Sequence, residues 1–342
     1  MGKIPKRATI RDIAKLAQTS VATVSWVLNG DSRKYVSDAL RERVLEAAKA
    51  LNYQPNLLAQ RLKGKSRKLL AVIVPQLENI VFNRIVIGAE KHASARGYKL
   101  LICSTDDNSQ KEIELINQLL ASWVDGFLIA PSLDGANSVD LIARSGTPLV
   151  LLDRLVQGDY DAVTTDNIDA AYTGAKYLME HGHRRIAYIG WDIGLNTILD
   201  RYKGFLKAVD EFKLSDREII IRKCPRLAEA GYKLAVEILD EFQPTAFFVD
   251  QHNIAEGVVQ ALRDRKIRIP EDVSVLIYGD PSWAKLNVPE FTCIHIPDIE
   301  IGAEGAKKLI DDLEGKDKAI RTIFLKANLL ERGSVAQSPV KG

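Results

Sequence analysis

The chain of 342 residues is longer than one hydrophobic core comfortably supports, so its length predicts two to three domains. Its hydrophobic fraction of 46% is ordinary, and the sequence has neither a run of about 18 apolar residues nor an apolar leader with a cleavage site, which argues against membrane insertion and export and favours the cytoplasm. Cys103, Cys224 and Cys293 lie far apart without zinc-ligand spacing, which indicates reduced thiols and no metal site.

The net charge of +2 combines two parts of opposite sign. Residues 1–68 carry 15 Lys and Arg against 5 Asp and Glu, a balance of +10, whereas the remainder carries 32 against 40, a balance of −8. A basic segment favours a polyanionic partner, because each neutralised phosphate releases condensed counterions. A solvated basic tail is the alternative, but the helical patterning of this segment argues against it.

The N-terminal segment begins with two short helices joined by a tight turn. Thr9 and Asp12 form a capping-box pattern before a helix whose apolar positions are Ile13, Ala14, Leu16 and Ala17. Ser20 caps a second helix that ends near Asn29 and Gly30, where glycine favours a C-terminal stop.

The second helix, SVATVSWVLNG, contains an indole among small and β-branched residues. At about 100° per residue, Val24, Val27 and Leu28 share one side of the helix, and Ala22 and Trp26 lie on the opposite side. Trp26 is therefore predicted to face outward; burial in the core of the segment is the alternative.

A third helix and a shorter helical segment follow. Ser37 caps SDALRERVLEAAKALNY, whose apolar stripe comprises Leu40, Val44, Leu45, Ala48 and Leu51. This three-helix unit of roughly 45 residues has a marginal but viable core. NLLAQRL at 56–62 follows Pro55 and is too short to be a stable helix alone.

From Leu69 onward, apolar runs alternate with amphipathic helices. The runs are LLAVIVP, YKLLICS, GFLIAPS, PLVLLD, RIAYIGW, EIIIRKC, AFFVD and SVLIYGD. Such strands predict parallel sheets covered by helices on both faces, and their number favours two doubly wound subdomains. Ligands of such folds bind at the carboxyl ends of the strands, in the crevice between the halves.

Along essentially its whole length, the sequence resembles the LacI-type repressors, the lactose and purine repressor family. The resemblance rests on TIRDIAKLAQTSVATVSWVLNG for the helix-turn-helix, LNYQPNLLAQRL for the hinge, HGHRRIAYIG for the start of the second subdomain, and PEDVSVLIYGD followed by FTCIHIP near the C-terminus. It implies an all-α helix-turn-helix domain over 1–55, a hinge helix and linker over 56–68, and an α/β core of two doubly wound parallel-sheet subdomains over 69–333. This core is similar to periplasmic binding proteins, and a tail spans 334–342.

The resemblance implies that the second helix enters the major groove of operator DNA. Val21, Ala22 and Trp26 match positions that read base edges. Other hydroxyl and amide side chains match positions that meet phosphates or support them: Ser20, Thr23, Ser25, Asn29 and Ser37. Helix capping by Ser20 and Ser37 is compatible with that role, since one hydroxyl can accept from backbone and donate to phosphate.

Trp26 departs from the family pattern, which very often has arginine at this position. Arginine grips guanine O6 and N7 bidentately, whereas an indole has one N–H donor and a flat apolar face. We therefore expect Trp26 to pack on a thymine methyl group or a sugar and to change the preferred half-site.

In the hinge, Leu62 matches the leucine that family dimers insert into the minor groove, with Asn56 and Ala59 beside it. Such a wedge unstacks one base step and bends the duplex, and two hinges must meet on the DNA. An ordinary linker leucine is the alternative, which the surrounding basic residues argue against.

For the core, the resemblance implies an effector cleft whose closure shifts the two hinges. Phe82, Asp153, Arg201 and Trp283 match positions near that cleft, with Arg201 gripping a hydroxyl or carboxylate and Trp283 stacking on a sugar or purine face. A phenylalanine after a strand is more often core, and an aspartate at a strand end often caps the next helix. The pair Asp166-Asn167 matches the crossover between subdomains.

One departure concerns the effector class. After AFFVD the family usually has an acid that receives sugar hydroxyls, but His252 occupies that position here. Either Asp250 substitutes for the acid through a local shift, or the effector is not a typical neutral sugar.

The partners implied are a double-stranded DNA operator, a second copy of the chain and a small, most simply sugar-like effector, with no cofactor and no membrane. Whether a protein corepressor also docks on the core is left open. The helix over 82–96 is expected to contribute to the dimer. A periplasmic-type sugar-binding protein and an enzyme are the rival interpretations; the first is disfavoured by residues 1–68, and the second by the absence of any catalytic motif.

Overall fold

The computed structural model describes residues 8–28, 35–53 and 67–339. The chain divides into two compact units, with the boundary between Arg67 and Lys68. The predicted hinge segment, including Asn56, Ala59 and Leu62, lies outside the described residues, and so does Asn29.

The first unit contains the three predicted helices: α1 (Ile10–Leu16), α2 (Val21–Leu28) and α3 (Asp38–Ala50). Their small core is formed by Ile13, Ala14, Ala17, Val24, Val27, Val44 and Ala47. The predicted apolar stripes are wrong at two positions, since Leu16 and Leu45 are half exposed. On α3 the buried residues are Val44 and Ala47, so the inward face of this helix includes position 47 and not position 45.

Two of the three predicted helix caps form as expected. The Asp12 carboxylate accepts from the Thr9 backbone N–H and the Thr9 hydroxyl, both at 2.7 Å. Ser20 Oγ accepts from the backbone N–H of Thr23 at 3.0 Å. Ser37 occupies the N-cap position of α3, but its side chain caps no backbone N–H in the described part of the chain, so the predicted cap is wrong in this respect.

The second unit has two six-stranded sheets. All eight predicted strands are present, and four further strands, the fifth and the last three in chain order, were missed. The strands are β1 (Leu69–Val74), β2 (Lys99–Ser104), β3 (Gly126–Ile129), β4 (Leu149–Leu152), β5 (Asp161–Thr165), β6 (Ile186–Trp191), β7 (Ile219–Cys224), β8 (Ala246–Val249), β9 (Ser274–Tyr278), β10 (Thr292–His295), β11 (Thr322–Leu325) and β12 (Asn328–Leu330).

Each sheet belongs to one lobe of the core unit. The first lobe has the order β11-β5-β4-β3-β1-β2, and the second has β12-β10-β9-β8-β6-β7. All pairings are parallel except that β12 runs antiparallel to β10 at the sheet edge. The predicted doubly wound architecture is confirmed, and the edge strand is its one departure from a parallel sheet.

Helices cover both sheets. The first lobe has α4 (Ile80–Ala95), α5 (Ser109–Ala121), α6 (Ala136–Arg144) and α11 (Asp298–Leu313); the second has α7 (Asn167–Glu180), α8 (Asn196–Glu211), α9 (Ala228–Glu241), α10 (His252–Asp264) and a 3₁₀ turn (Ser282–Lys285). Gly88 of α4 and Gly302 of α11 let these two helices approach backbone to backbone. None of the helices in the described ranges has both the length and the apolar character needed to cross a membrane.

The chain crosses between the lobes three times: after β5, after β10 and after β11. Asp166 stands at the first crossing, as predicted, and its carboxylate caps α7 by accepting from the Asp169 N–H at 3.0 Å. Because three segments connect the lobes side by side, the lobes form a hinged pair with a cleft at the carboxyl ends of their strands.

The second lobe extends beyond the boundary predicted at residue 333. Ser334 is fully buried, and its hydroxyl donates to the Val275 carbonyl at 2.6 Å. The buried ring of His183 lies between the Thr245 hydroxyl and the Ala336 carbonyl, each at 3.0 Å. Residues 334–336 are thus part of the folded core and not a tail.

The buried contacts of His183 with Thr245 and Ala336 predict that the stability of the protein depends on pH. Burial lowers the pKa of His183 from 6.5 to about 4. Below about pH 6.5 the imidazole of the unfolded chain takes up a proton, whereas the buried ring of the folded chain stays neutral until the pH approaches 4. The contribution of His183 to the free energy of unfolding is therefore complete above about pH 6.5 and is lost as the pH falls towards 4. In urea unfolding, the free energy of unfolding of the native chain should exceed that of His183→Gln by a smaller amount at about pH 4.5 than at about pH 7. Parallel profiles of the two proteins would contradict this.

Candidate functional site

The α2 helix presents one side to solvent. Val24 and Val27 are buried, whereas Val21 and Ala22 are exposed and Trp26, one turn after Ala22, is half-buried. Trp26 was predicted to face outward, with burial in the core as the alternative; its side chain is half-buried, which lies between the two. Ala22 and Trp26 share a face because positions four apart lie one above the other on a helix, and Val21 lies about 100° around the helix from Ala22.

Hydroxyl groups surround the start of this helix. Ser20 Oγ and Thr23 Oγ1 lie 2.8 Å apart, so one of the two protons is used between them and the other remains for an outside acceptor. Ser25 is half-buried, and Ser37 is exposed at the start of α3. This hydroxyl-rich, apolar-faced helix carries no acidic side chain.

The core unit has a cleft between its two lobes. Its walls are formed by Asn79, Val81, Phe82, Asp153, Arg154, Trp191, Leu195, Thr197, Ile198, Arg201, Arg226, Gln251, His252, Tyr278 and Ile296. Four of the predicted effector residues are among them: Phe82 and Asp153 from the first lobe, and Arg201 and His252 from the second. The structure therefore brings together side chains that are far apart in sequence.

Arg201 is fixed by neutral groups. Its Nε donates to Asn167 Oδ1 at 3.1 Å, and its Nη1 donates to the backbone carbonyl of Asp250 at 2.8 Å. Its guanidinium stacks on the Tyr278 ring at 3.9 Å from the centroid. The side chain is held rigidly at the cleft wall, while the described residues provide no carboxylate in ion-pair contact with it.

Asp153 follows β4 in a left-handed backbone conformation, with φ of 61°. It is only 7% exposed, and no side chain or backbone N–H in the described ranges donates to its carboxylate. Burial raises the pKa of Asp153, and the charges of Arg201 and Arg154 partly offset this effect. The interpretation of Asp153 as a helix cap is not supported, since the chain continues into a loop.

Asp250 and His252, the two candidates for the position of the family's acid after β8, lie at different depths in the second lobe. The Asp250 carboxylate is fully buried below the cleft, where it accepts from the Tyr188 hydroxyl at 2.8 Å and the Trp191 N–H at 3.0 Å, and burial raises its pKa to about 6. His252 lies at the cleft wall, where burial, followed by the charges of Arg201 and Arg226, lowers its pKa to about 4. His252 is therefore a neutral ring at pH 7, and Asp250 is a supporting group.

Phe82 lies in the first turn of α4, is nearly buried, and packs under the Arg154 guanidinium at 5.4 Å. Arg154 donates to both carboxylate oxygens of Asp107, at 2.6 and 3.0 Å. Phe82 is thus a core and cleft residue at once, and the charge of Arg154 is matched within its own lobe.

Trp283 does not reach the cleft. Its ring packs edge-on against Phe291 at 5.7 Å, within the outer hydrophobic cluster of the second lobe. Trp191 provides the indole at the cleft wall instead, and the Arg226 guanidinium lies 4.7 Å from its ring. The predicted position of Trp283 at the cleft is wrong, because its ring packs in this cluster and not on the cleft wall.

The prediction also missed Trp191, Arg226, Gln251 and Tyr278 as cleft residues. Trp191 and Tyr278 each end a strand, and Gln251 and Arg226 follow β8 and β7 by two residues. Ligands of doubly wound folds bind at the carboxyl ends of the strands, and this rule alone would have placed these four residues at the cleft.

Known proteins share both units. Residues 9–56 match the lacI family of bacterial regulatory proteins, and residues 175–335 match the periplasmic binding protein-like domain. The HTH-type transcriptional repressor PurR of Haemophilus influenzae (strain PittEE) is 32% identical over 316 residues, which cover 92% of this chain and 94% of the relative.

Two solved structures extend the likeness. The lac repressor dimer bound to operator and the anti-inducer ONPF has a TM-score of 0.86 at 26% identity, covering 97% of this chain and 100% of that one. A LacI family transcriptional regulator from Enterococcus faecium with bound ribose has a TM-score of 0.72 at 26% identity, covering 79% of this chain and 99% of that one. This chain therefore belongs to the LacI family and is a DNA-binding transcriptional regulator with a periplasmic-binding-protein-like core.

Proposed function

We propose that this regulator binds a near-palindromic operator as a homodimer, with α2 of each copy in a major groove. The observation that supports this is the outward face of α2, where Val21 is 43% exposed beside Ala22 without being needed for the core. The related lac repressor binds its operator as a dimer. Two copies are required because paired helices read half-sites related by two-fold symmetry.

Within each half-site, Val21, Ala22 and Trp26 contact base edges. Their side chains are apolar or carry one donor, so thymine methyl groups are their natural partners. The phosphate contacts are assigned to Ser20, Thr23, Ser25, Asn29 and Ser37. The exposed Ser37 hydroxyl supports this assignment, since it caps no backbone N–H in the described part of α3.

The hinge assignment rests on sequence alone. Leu62 enters the minor groove at the operator centre, with Asn56 and Ala59 beside it, and opens a base step. The bend that results depends on two hinges at a fixed separation, so any change in the core that alters this separation changes affinity for DNA.

We further propose that the cleft binds a small sugar-like effector. Asp153 is the supporting observation: a nearly buried carboxylate in a left-handed backbone conformation, which faces the cleft without a donor among the described residues. Its oxygens can accept hydrogen bonds from a molecule in the cleft, and a sugar hydroxyl is such a donor. The Enterococcus faecium relative holds ribose.

Binding at this position couples the effector to the lobes. Phe82 and Asp153 belong to the first lobe, and Arg201 and His252 belong to the second, so one ligand contacts both. A ligand that contacts both walls binds best when the lobes stand at the separation that its own size requires. The effector therefore selects one lobe arrangement over another.

The test is thermal unfolding of the full chain with neutral sugars, sugar phosphates, sugar acids, nucleosides and purine bases. A compound that binds the folded state raises the unfolding temperature. Asp153→Asn should reduce the affinity for that compound by about tenfold or more, because a charge-assisted hydrogen bond becomes a neutral one. Asp159→Asn is the matched control, since Asp159 is exposed in the same loop.

Each outcome is informative. Stabilisation only by a purine base or nucleoside would retain the cleft as the effector site and reject the sugar-like class. An equal affinity of the Asp153→Asn and Asp159→Asn variants would reject the role of Asp153. If no compound stabilises the protein, the proposal of a small effector fails.

A further inference from the structure

Two guanidinium groups of the second lobe face the cleft without a carboxylate partner in the described part of the chain. Arg201 donates to an amide oxygen and a backbone carbonyl, at 3.1 and 2.8 Å. Arg226 donates to the amide oxygen of Gln76 and packs on Trp191. Arg154, by contrast, is fully paired with Asp107.

The charges of Arg201 and Arg226 both act on His252. His252, which follows β8, experiences the positive charges of both Arg201 and Arg226, and both charges lower its pKa. Burial opposes the charged form of Arg226 as well, and its pKa is lowered. The second-lobe wall is thus a positive, partly desolvated surface around a neutral imidazole.

Asp250 and Asp153 lie near this surface, but neither neutralises Arg201 or Arg226 through an ion pair. Asp250 is fully buried below the wall, and its two oxygens accept from Tyr188 and Trp191. Asp153 belongs to the opposite lobe and makes no ion pair with a described guanidinium. The cleft therefore has an acceptor on one wall and two cationic donors on the other.

We infer that the effector carries an anionic group, a carboxylate or a phosphate, which binds between Arg201 and Arg226, and a hydroxyl that donates to Asp153. This inference rests on the proposed effector function of the cleft. Arg226 would exchange Gln76, a residue of the first lobe, for the anion, so its interaction would change between the free and bound states. Charge-assisted contacts of this kind are about twice as strong as neutral ones.

The experiment compares matched compounds on one scaffold by calorimetry with the full chain. The panel is glucose, glucuronate and glucose 6-phosphate, together with galactose, galacturonate and galactose 6-phosphate, and ribose with ribose 5-phosphate. We expect an anionic member to bind at least about tenfold more tightly than its neutral parent. A preference for the uronates identifies a carboxylate, and a preference for the phosphates identifies a phosphate.

Three variants locate the effect. Arg226→Gln should weaken binding of the anion by a much larger factor than binding of the neutral sugar, whereas Arg226→Lys should retain part of the preference for the anion. Arg222→Gln is the control, because Arg222 lies on β7 and pairs with the exposed Glu241 at 2.9 Å. It should retain the full preference.

The inference is overturned if the neutral parent binds as tightly as its anions, or if Arg226→Gln weakens both equally. Binding of neutral sugars that depends on Asp153 would then leave the proposed effector site intact. If no anionic member binds, the inference also fails, and binding of no compound at all rejects the effector site with it.

Discussion

Replacing Trp26 by arginine is expected to move guanine into one position of each operator half-site. An arginine on the outward face of α2 can grip guanine O6 and N7 with two hydrogen bonds, which the single indole N–H cannot do. Such a contact discriminates against the wrong base by about 1–3 kcal/mol, or roughly 5- to 150-fold. Selection of bound sequences from randomised duplexes, performed with both proteins, measures this change directly.

The control is Leu45→Arg, which adds the same charge at a 50% exposed position of α3. It should strengthen binding to all duplexes by a similar small factor and leave the selected sequence unchanged, because added charge alone acts on phosphates. If the native chain already selects guanine at that step, or if Trp26→Arg selects the same sequence as the native chain, Trp26 does not read bases.

The Gly302→Ala substitution should destabilise the core unit by about 3 kcal/mol, near the upper end for overpacked sites. A methyl group at Gly302 would overlap the carbonyl oxygen of Ile85 on the neighbouring helix, and one at Gly88 would overlap that of Ile299. The obstacle is backbone, so no side-chain rotation relieves it. Urea unfolding of the full chain, followed by circular dichroism, measures the loss.

Gly194→Ala is the matched control. A methyl group there meets no atom within 4 Å, and the backbone does not require a positive φ. The substitution should leave stability unchanged or raise it by roughly 0.4–1 kcal/mol, since alanine reduces the freedom of the unfolded chain. Equal midpoints for the two variants would show that α4 and α11 can separate at little cost.

Local patterns in the sequence predicted the elements well. The capping box of Thr9 and Asp12, the buried side of α2 and eight core strands follow from neighbouring residues, which is why they appear as expected. Four strands were missed where the apolar run is short or mixed with polar residues. The edge strands β11 and β12 have exposed positions, so their apolar signal is weak.

The cleft was predicted only in part. Arg201, Asp153 and His252 were expected there from the family pattern, and the structure places them together. Arg226 and Trp191 were not expected, and Trp283 was wrongly included. The direction of a side chain after a strand depends on the turn that follows, and the sequence does not specify that turn.

The sequence by itself determined the division into a basic helical unit and an acidic α/β core, the eight strands with strong apolar runs and the family, because charge, periodicity and capping are properties of neighbouring residues. Only the tertiary structure decided which charges remain unpaired. Arg154, which follows β4, and Arg201, which lies on α8, are both buried arginines at the cleft, yet one meets Asp107 and the other meets neutral oxygens. That difference arises within each lobe, where the parallel sheet and its helices bring residues that are distant in sequence within a few ångströms, and a pairing over such separations leaves no local signal.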